Sequence, residues 1–298
     1  MLFHLPFLGE ILAFSCAIVW ATAVILFRKS GETVPPLGLN LFKNLLGLSL
    51  FLPTSMVLGE TLAVKASLND YLLVLGSGAI GIGLADTFFF RSLNLLGAGL
   101  SAIVDSLYSP FIIGLSILFL KERMSGLQLF GVLLIISAVL VVSRQGDRQN
   151  ISRRDLILGI LLGVLAMALM AVGIVMIKPL LNRSPLLWVI EIRLLAGCLV
   201  LGTILLFHPS RQKIMASVLS MRGWHFMLPG SFLGTYLSLV VWMGGMKYTQ
   251  ASVASALNQT SNIFVFILAA IFLKEPVDYP RIIGIFCAFV GVVIVFFG

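Results

Sequence analysis

Apolar residues run along this chain in long stretches broken by short polar punctuation, without the alternation a membrane β-barrel strand requires. A helix rising ~1.5 Å per residue needs about 20 residues to cross ~30 Å of hydrocarbon. Stretches of that order are predicted at 8–27, 36–58, 71–93, 98–120, 126–143, 156–178, 185–207, 224–247, 251–273 and 280–297. Helices satisfy every backbone hydrogen bond within the segment, so ten transmembrane helices follow.

The pattern repeats. Residues 98–142 and 251–295 match at an offset of 153, through Ala98/Ala251, Leu115/Leu268, Phe119-Leu120-Lys121-Glu122/Phe272-Leu273-Lys274-Glu275, Gly131/Gly284 and Val139/Val292. At an offset of 150 the earlier helices align as well, through Pro35/Pro185, Leu37/Leu187, Lys43/Arg193, Leu45/Leu195 and Gly47/Gly197. The chain therefore divides into a five-helix repeat over 1–143, a polar linker over 144–155 and a second five-helix repeat over 156–298. Five crossings per copy and a linker that stays on one side force the second copy upside down. The expected fold is all-α and integral to the membrane, as two inverted repeats with a site near the midplane where they meet.

Composition agrees: 59% of residues are hydrophobic and 11% charged, with a mean hydropathy of +1.10, against roughly 25% charged in a soluble domain. The net charge of +8 does not signal nucleic acid, because Lys and Arg sit singly or in pairs at span ends with no basic face. Met1–Glu10 has no positive charge before its apolar run, so a cleaved signal peptide is not expected. Cys16, Cys198 and Cys287 lie in three different spans without metal spacing, which points to packing. His4, His208 and His225 lie at span ends and make no relay, and no cofactor or metal motif appears. The side bearing the loops after the first, third, fifth, seventh and ninth spans carries twelve Lys and Arg, the side with both termini six. The positive-inside rule alone then places the termini outside.

The basic residue in the second helix of each half, Lys43 and Arg193, and the Leu-Lys-Glu element closing each fourth helix, followed by a Gly in the fifth, resemble the drug/metabolite transporter superfamily, EamA type, over nearly the whole chain. The resemblance implies a ten-helix exporter or exchanger of small metabolites, often amino acids, with both termini cytoplasmic. Orientation thus stays open between charge and resemblance. The chain departs from the family pattern where many members carry a glutamate before the proline of the fourth helix: here Ser109 precedes Pro110, and the nearest acid is Asp105. The matching position in the second copy is Ile263 rather than proline.

Ionisable residues inside a span cost ~2.5–3.5 kcal/mol or more on insertion scales, so each needs a partner or a wet cavity. Lys43, Asp86 and Asp105 each lie about seven residues from the same side, roughly 10 Å deep. A Lys with one or two carboxylates is the expected pair or triad, with Asp105 first as the group for a proton or a substrate amine and Lys43 as its charge partner. Arg193 sits at the equivalent depth from the other side, where a structural tie and a seat for a carboxylate are both open, and Asp105 is matched by the neutral Asn258. Asn258, Gln259 and Asn262 would offer hydrogen bonds, with Tyr108 and Ser109 near them. Trp20, Tyr108 and Trp242 are expected in a cavity wall, and Trp188, Trp224 and Tyr279 in the interfacial belt. Gly76-Ser-Gly78-Ala-Ile-Gly81 matches a dinucleotide pattern but lies within a span, where small residues let helices approach.

These features point to a secondary active transporter of small amphipathic metabolites in a bacterial plasma membrane, working by alternating access and coupled to protons through Asp105. Its partners would be a small-molecule substrate, the lipid bilayer and protons, and a monomer is compatible with all of it. A non-transporting scaffold or an intramembrane enzyme is the alternative. An enzyme would need a nucleophile with its base or a metal cluster, and none is legible; a scaffold would bury the same polar side chains in a closed, dry interior.

Overall fold

The computed structural model describes residues 7–59, 64, 66–120, 125–143, 151–220 and 223–297. Lys121 and Glu122 of the first Leu-Lys-Glu element, and residues 144–150 of the linker, lie outside them. The helices are α1 (Leu8–Ser30), α2 (Pro36–Val57), α3 (Leu68–Leu96), α4 (Ala98–Asp105), α5 (Tyr108–Leu120), α6 (Gly126–Ser143), α7 (Arg153–Arg183), α8 (Leu186–Phe207), α9 (Arg211–Leu219), α10 (Trp224–Tyr248), α11 (Ala251–Asn258), α12 (Ser261–Phe272) and α13 (Tyr279–Phe297). The pairs α4/α5 and α11/α12 each make one broken crossing, so ten crossings result. The short α9 was not expected from the pattern, and α7 starts at Arg153, inside the predicted linker, because Ser152 caps it by accepting from the Asp155 N–H at 3.1 Å.

Two irregularities recur in both halves at the repeat offset. α3 is π-helical over Ala79–Ala85 and α10 over Phe232–Leu237. The fourth crossing breaks at Ser106–Leu107 and the ninth at Gln259–Thr260. In the first half the break has a local cause, since Pro110 has no N–H for the Ser106 carbonyl four residues back. The second half breaks without a proline.

Packing follows a pseudo-twofold axis. α1 packs on α10 and α12, and its counterpart α7 on α3 and α5; α2 pairs with its own counterpart α8, as α6 does with α13. Inversion is visible at the helix ends. Glu275, just beyond α12, accepts the Ala98 N–H at 2.7 Å and the Gly99 N–H at 2.9 Å at the start of α4. Arg183, ending α7, pairs with Asp70, near the start of α3, at 2.6 Å. Neither contact could form if both halves ran the same way, because the two ends would lie on opposite faces of the membrane. Gly97, at φ +80°, turns the chain under the Glu275 carboxylate, where a Cβ would come within 2.7 Å of Oε1.

The polarity is inside out relative to a soluble protein. Ile11, Phe14 and Ile18 of α1, or Leu161 and Leu165 of α7, face outward, while Asn40, Lys43, Asn44, Glu191 and Arg193 are buried. Lipid solvates the former, and the polar side chains must find partners within the bundle. One interfacial expectation fails: Trp188 is fully buried, edge-on to Tyr71 at 5.2 Å between ring centroids, because α8, which carries it, packs against α3. Tyr279 is exposed, and the Trp224 Nε1–H bonds the Val218 carbonyl at 2.9 Å.

Candidate functional site

A cavity of about 150 Å³, counted as space open to the centre of a water molecule, lies between the two halves. One water needs only ~10–15 Å³ on that measure, so a small ligand fits. Most of its wall is paired by the repeat. Trp20/Met170, Lys43/Arg193 and Asn44/Leu194 are related by 150 residues, and Gly81/Gly234, Ile82/Thr235, Asp86/Leu239, Phe89/Trp242, Asp105/Asn258 and Tyr108/Ser261 by 153. A cavity lined by equivalent positions of both copies sits on the axis that relates them. Asp105, Lys43, Asp86, Tyr108, Trp20, Arg193, Trp242, Asn258, Gln259 and Asn262 all reach it; Ser109 does not, being fully buried beside the break.

The first half supplies an ion pair held by a polar network. The Lys43 Nζ donates to Asp86 Oδ2 at 2.6 Å and to Asn44 Oδ1 at 2.9 Å, and lies 5.8 Å from the Phe90 ring centroid. Asn44 donates to Asn40 Oδ1 at 2.9 Å, and Asn40 Nδ2 reaches the Ile82 and Gly83 carbonyls at 3.0 and 3.2 Å and Thr87 Oγ1 at 2.9 Å. Those carbonyls belong to the π-helical turn of α3, whose wider ring disturbs the ordinary ladder and leaves them open to a side-chain donor. The partner of Lys43 is thus Asp86 and not Asp105: α2 and α3 bring Lys43 and Asp86 face to face, a matter of helix rotation that equal depth does not convey.

Among the described residues no such network surrounds Arg193, the equivalent cation of the second half. Arg193 is seated by the glycines of the dinucleotide-like match: a Cβ on Gly78 would strike the Arg193 backbone, and one on Gly81 would lie 3.2 Å from its Nη2. α3 and α8 therefore touch backbone to backbone here, as small residues allow in a membrane. The Arg193 Nη1 donates to the Met243 Sδ at 3.2 Å, and Nε has no partner among the described residues.

The breaks bring half-helix ends to the cavity. Asp105 and Asn258 end α4 and α11, and Tyr108 and Ser261 begin α5 and α12. The Gln259 Nε2 donates to the Asp105 carbonyl at 2.7 Å, and Asn262 Nδ2 to Ser106 Oγ at 3.0 Å and to Gln259 Oε1 at 2.9 Å. These two amides, expected to be free for a ligand, are bonded across the axis to the break of the other half. Among the described residues nothing donates to the Asp105 carboxyl, which faces the cavity, and Asn258 Oδ1 is likewise unpartnered.

Aromatic rings close the rest, with Trp20 on Phe89 at 5.9 Å and Tyr108 on Trp242 at 6.0 Å between centroids. Cys16, Asn44, Thr235, Ser238 and Ser261 were missed as lining residues. A signal existed for two of them, because Cys16 and Ser238 each stand four residues before a recognised tryptophan, Trp20 and Trp242, on the same helix face. They touch each other, with Cys16 Sγ 3.2 Å from Ser238 Oγ.

The sequence matches the EamA-like transporter family twice, over residues 7–144 and 157–297. The chain belongs to the EamA-like transporter family. It is a multi-pass membrane protein of a family of transporters. An uncharacterized transporter of Archaeoglobus fulgidus is 24% identical over 95% of this chain and 96% of its own length. The uncharacterized transporter YetK of Bacillus subtilis is 26% identical over 62% of this chain and 56% of its own. A solved crystal structure superposes with a TM-score of 0.72 over 96% of this chain and 95% of its own, at 17% identity, and so shares the EamA-like fold.

Proposed function

We propose that this EamA-like chain is a secondary active exporter or exchanger that carries a small amphipathic metabolite across the plasma membrane by alternating access through the axial cavity. The observation that supports this most is the pairing of the cavity wall. A site built from equivalent positions of two inverted halves can be presented to either side by exchanging their conformations, without moving the site itself. The π-helical turns of α3 and α10 and the breaks beside Asp105 and Asn258 are local departures from the α-helix at which such bending costs least.

Asp105 is the proton carrier in this reading. Its carboxyl faces the cavity without a bonded cation, whereas Asp86 is held by Lys43. A thermal-shift screen of purified protein against amino acids, nucleosides and cationic drugs identifies a ligand, since binding stabilises by mass action. Efflux of that ligand from proteoliposomes is then followed with and without a pH gradient. Asp105→Asn is expected to bind ligand and exchange it but to lose the response to the gradient. Unchanged coupling in a folded Asp105→Asn protein would remove Asp105 from this role.

A further inference from the structure

We propose that Arg193 is the seat of a carboxylate on the transported molecule, so that the substrate class is a small organic acid with an apolar body. This rests on the transporter reading above and names the chemistry of its site.

The pseudo-twofold shows what a satisfied cation at this place looks like. Lys43, the equivalent of Arg193, has a carboxylate at 2.6 Å and an amide oxygen at 2.9 Å. The positions that would bring the same two groups to Arg193 are Leu239 for Asp86 and Leu194 for Asn44, and both line the cavity. The second half thus keeps the cation and lacks its anion. Arg193 is 6% exposed, and its one hydrogen bond among the described residues goes to a thioether, a weak acceptor. Among the described residues no carboxylate makes a hydrogen bond or salt bridge with it, and Asp86, whose charge reaches it across the cavity, is held by Lys43 at 2.6 Å. A buried guanidinium left this way calls for an anion from outside the chain.

The seat is rigid, because the backbone contact at Gly78 and the close approach at Gly81 fix where the guanidinium stands. Its planar donors suit a carboxylate. With Asp105 protonated, the charges of the cavity are the Lys43–Asp86 pair and Arg193, and the one cation in excess matches one negative charge, which favours a monoanion over a phosphate dianion. Trp242, Tyr108, Trp20 and Phe89 line the same cavity and would hold the hydrocarbon part.

The test is a thermal-shift and calorimetric series on the purified, full-length protein with monocarboxylates of graded chain length and ring size, each beside its matched primary amide, amine and phosphate monoester. Carboxylates are expected to stabilise the wild type, and amides and amines of the same skeleton to bind roughly ten- to hundredfold more weakly, the range of a lost charge-assisted hydrogen bond. Arg193→Gln should erase the preference, and Arg193→Lys should retain part of it. Leu239→Asp supplies the missing anion from within and should also erase it while Arg193 is still present. Absence of a carboxylate-dependent shift, tighter binding of amines or phosphates, or a preference that survives Arg193→Gln would each overturn the assignment. Flux of non-acidic compounds in proteoliposomes alongside such a result would leave the transporter reading standing; carboxylate binding without flux of any bound compound would overturn that reading and leave the anion seat.

Discussion

The Lys43–Asp86 pair allows a quantitative prediction. In Asp86→Asn the side-chain volume is kept, so no cavity cost enters, but the negative charge is removed from an ammonium whose side chain is 6% exposed. Removing one partner of a buried ion pair costs ~3–5 kcal/mol. The Lys43 Nζ would keep Asn44 Oδ1 at 2.9 Å and the Phe90 face, and Asp86 is 14% exposed toward the cavity, so the low end, about 3 kcal/mol, is expected. That is roughly a hundredfold in the ratio of folded to unfolded protein. The double substitution Lys43→Met with Asp86→Leu removes both charges and reproduces the leucine at 239 of the second half; it should return to within ~1 kcal/mol of wild type or exceed it. Reversible unfolding in mixed detergent and SDS micelles, followed by tryptophan fluorescence, measures both. An Asp86→Asn protein within ~0.5 kcal/mol of wild type, or a double variant as unstable as the single one, would refute the claim that this pair is buried and mutually dependent.

Two further substitutions probe the frame around the site. Gly78→Ala should destabilise by ~1–3 kcal/mol or more in the same unfolding assay, because the new Cβ meets the backbone of Arg193, whereas Gly114→Ala, with open space around it, should be neutral or slightly stabilising. Glu275→Gln should cost about 1–2 kcal/mol by weakening the two backbone hydrogen bonds that tie the second half to the start of α4, and hydrogen exchange at Ala98 and Gly99 should speed up with it.

How much of the site was legible depends on which residues are considered. Lys43, Asp86, Asp105 and Arg193 announced themselves because a charge inside an apolar run is costly wherever the helix points. Their pairing did not: Asp86 and Asp105 stand at similar depth, and the choice of Asp86 follows from the rotation of α2 against α3 and from the Asn40–Asn44 network beneath it. Gln259 and Asn262 looked free for a ligand because polar residues mid-span suggest a cavity, yet the break they occupy faces the break at Ser106, and each amide donates to it. Trp188 looked interfacial from its place near a span end, and the packing of α3 over it is a contact between distant parts of the chain.

The sequence by itself determined that the chain is a membrane protein of ten helical crossings, that it is a duplication, and that the copies differ where Asp105 of the first is matched by the neutral Asn258 of the second. Those properties are local or periodic: the hydrophobicity of a run and the offset between similar runs need no knowledge of what packs against what. Only the tertiary structure decided that α3 and α10 loosen into π-helical turns, that α11 and α12 part without a proline, and that Lys43 is bonded to an anion while Arg193, among the described residues, is bonded to none. Each of these depends on how helices far apart in the chain are rotated and spaced against one another. That geometry is set by packing across the two halves, and no single stretch of sequence encodes it.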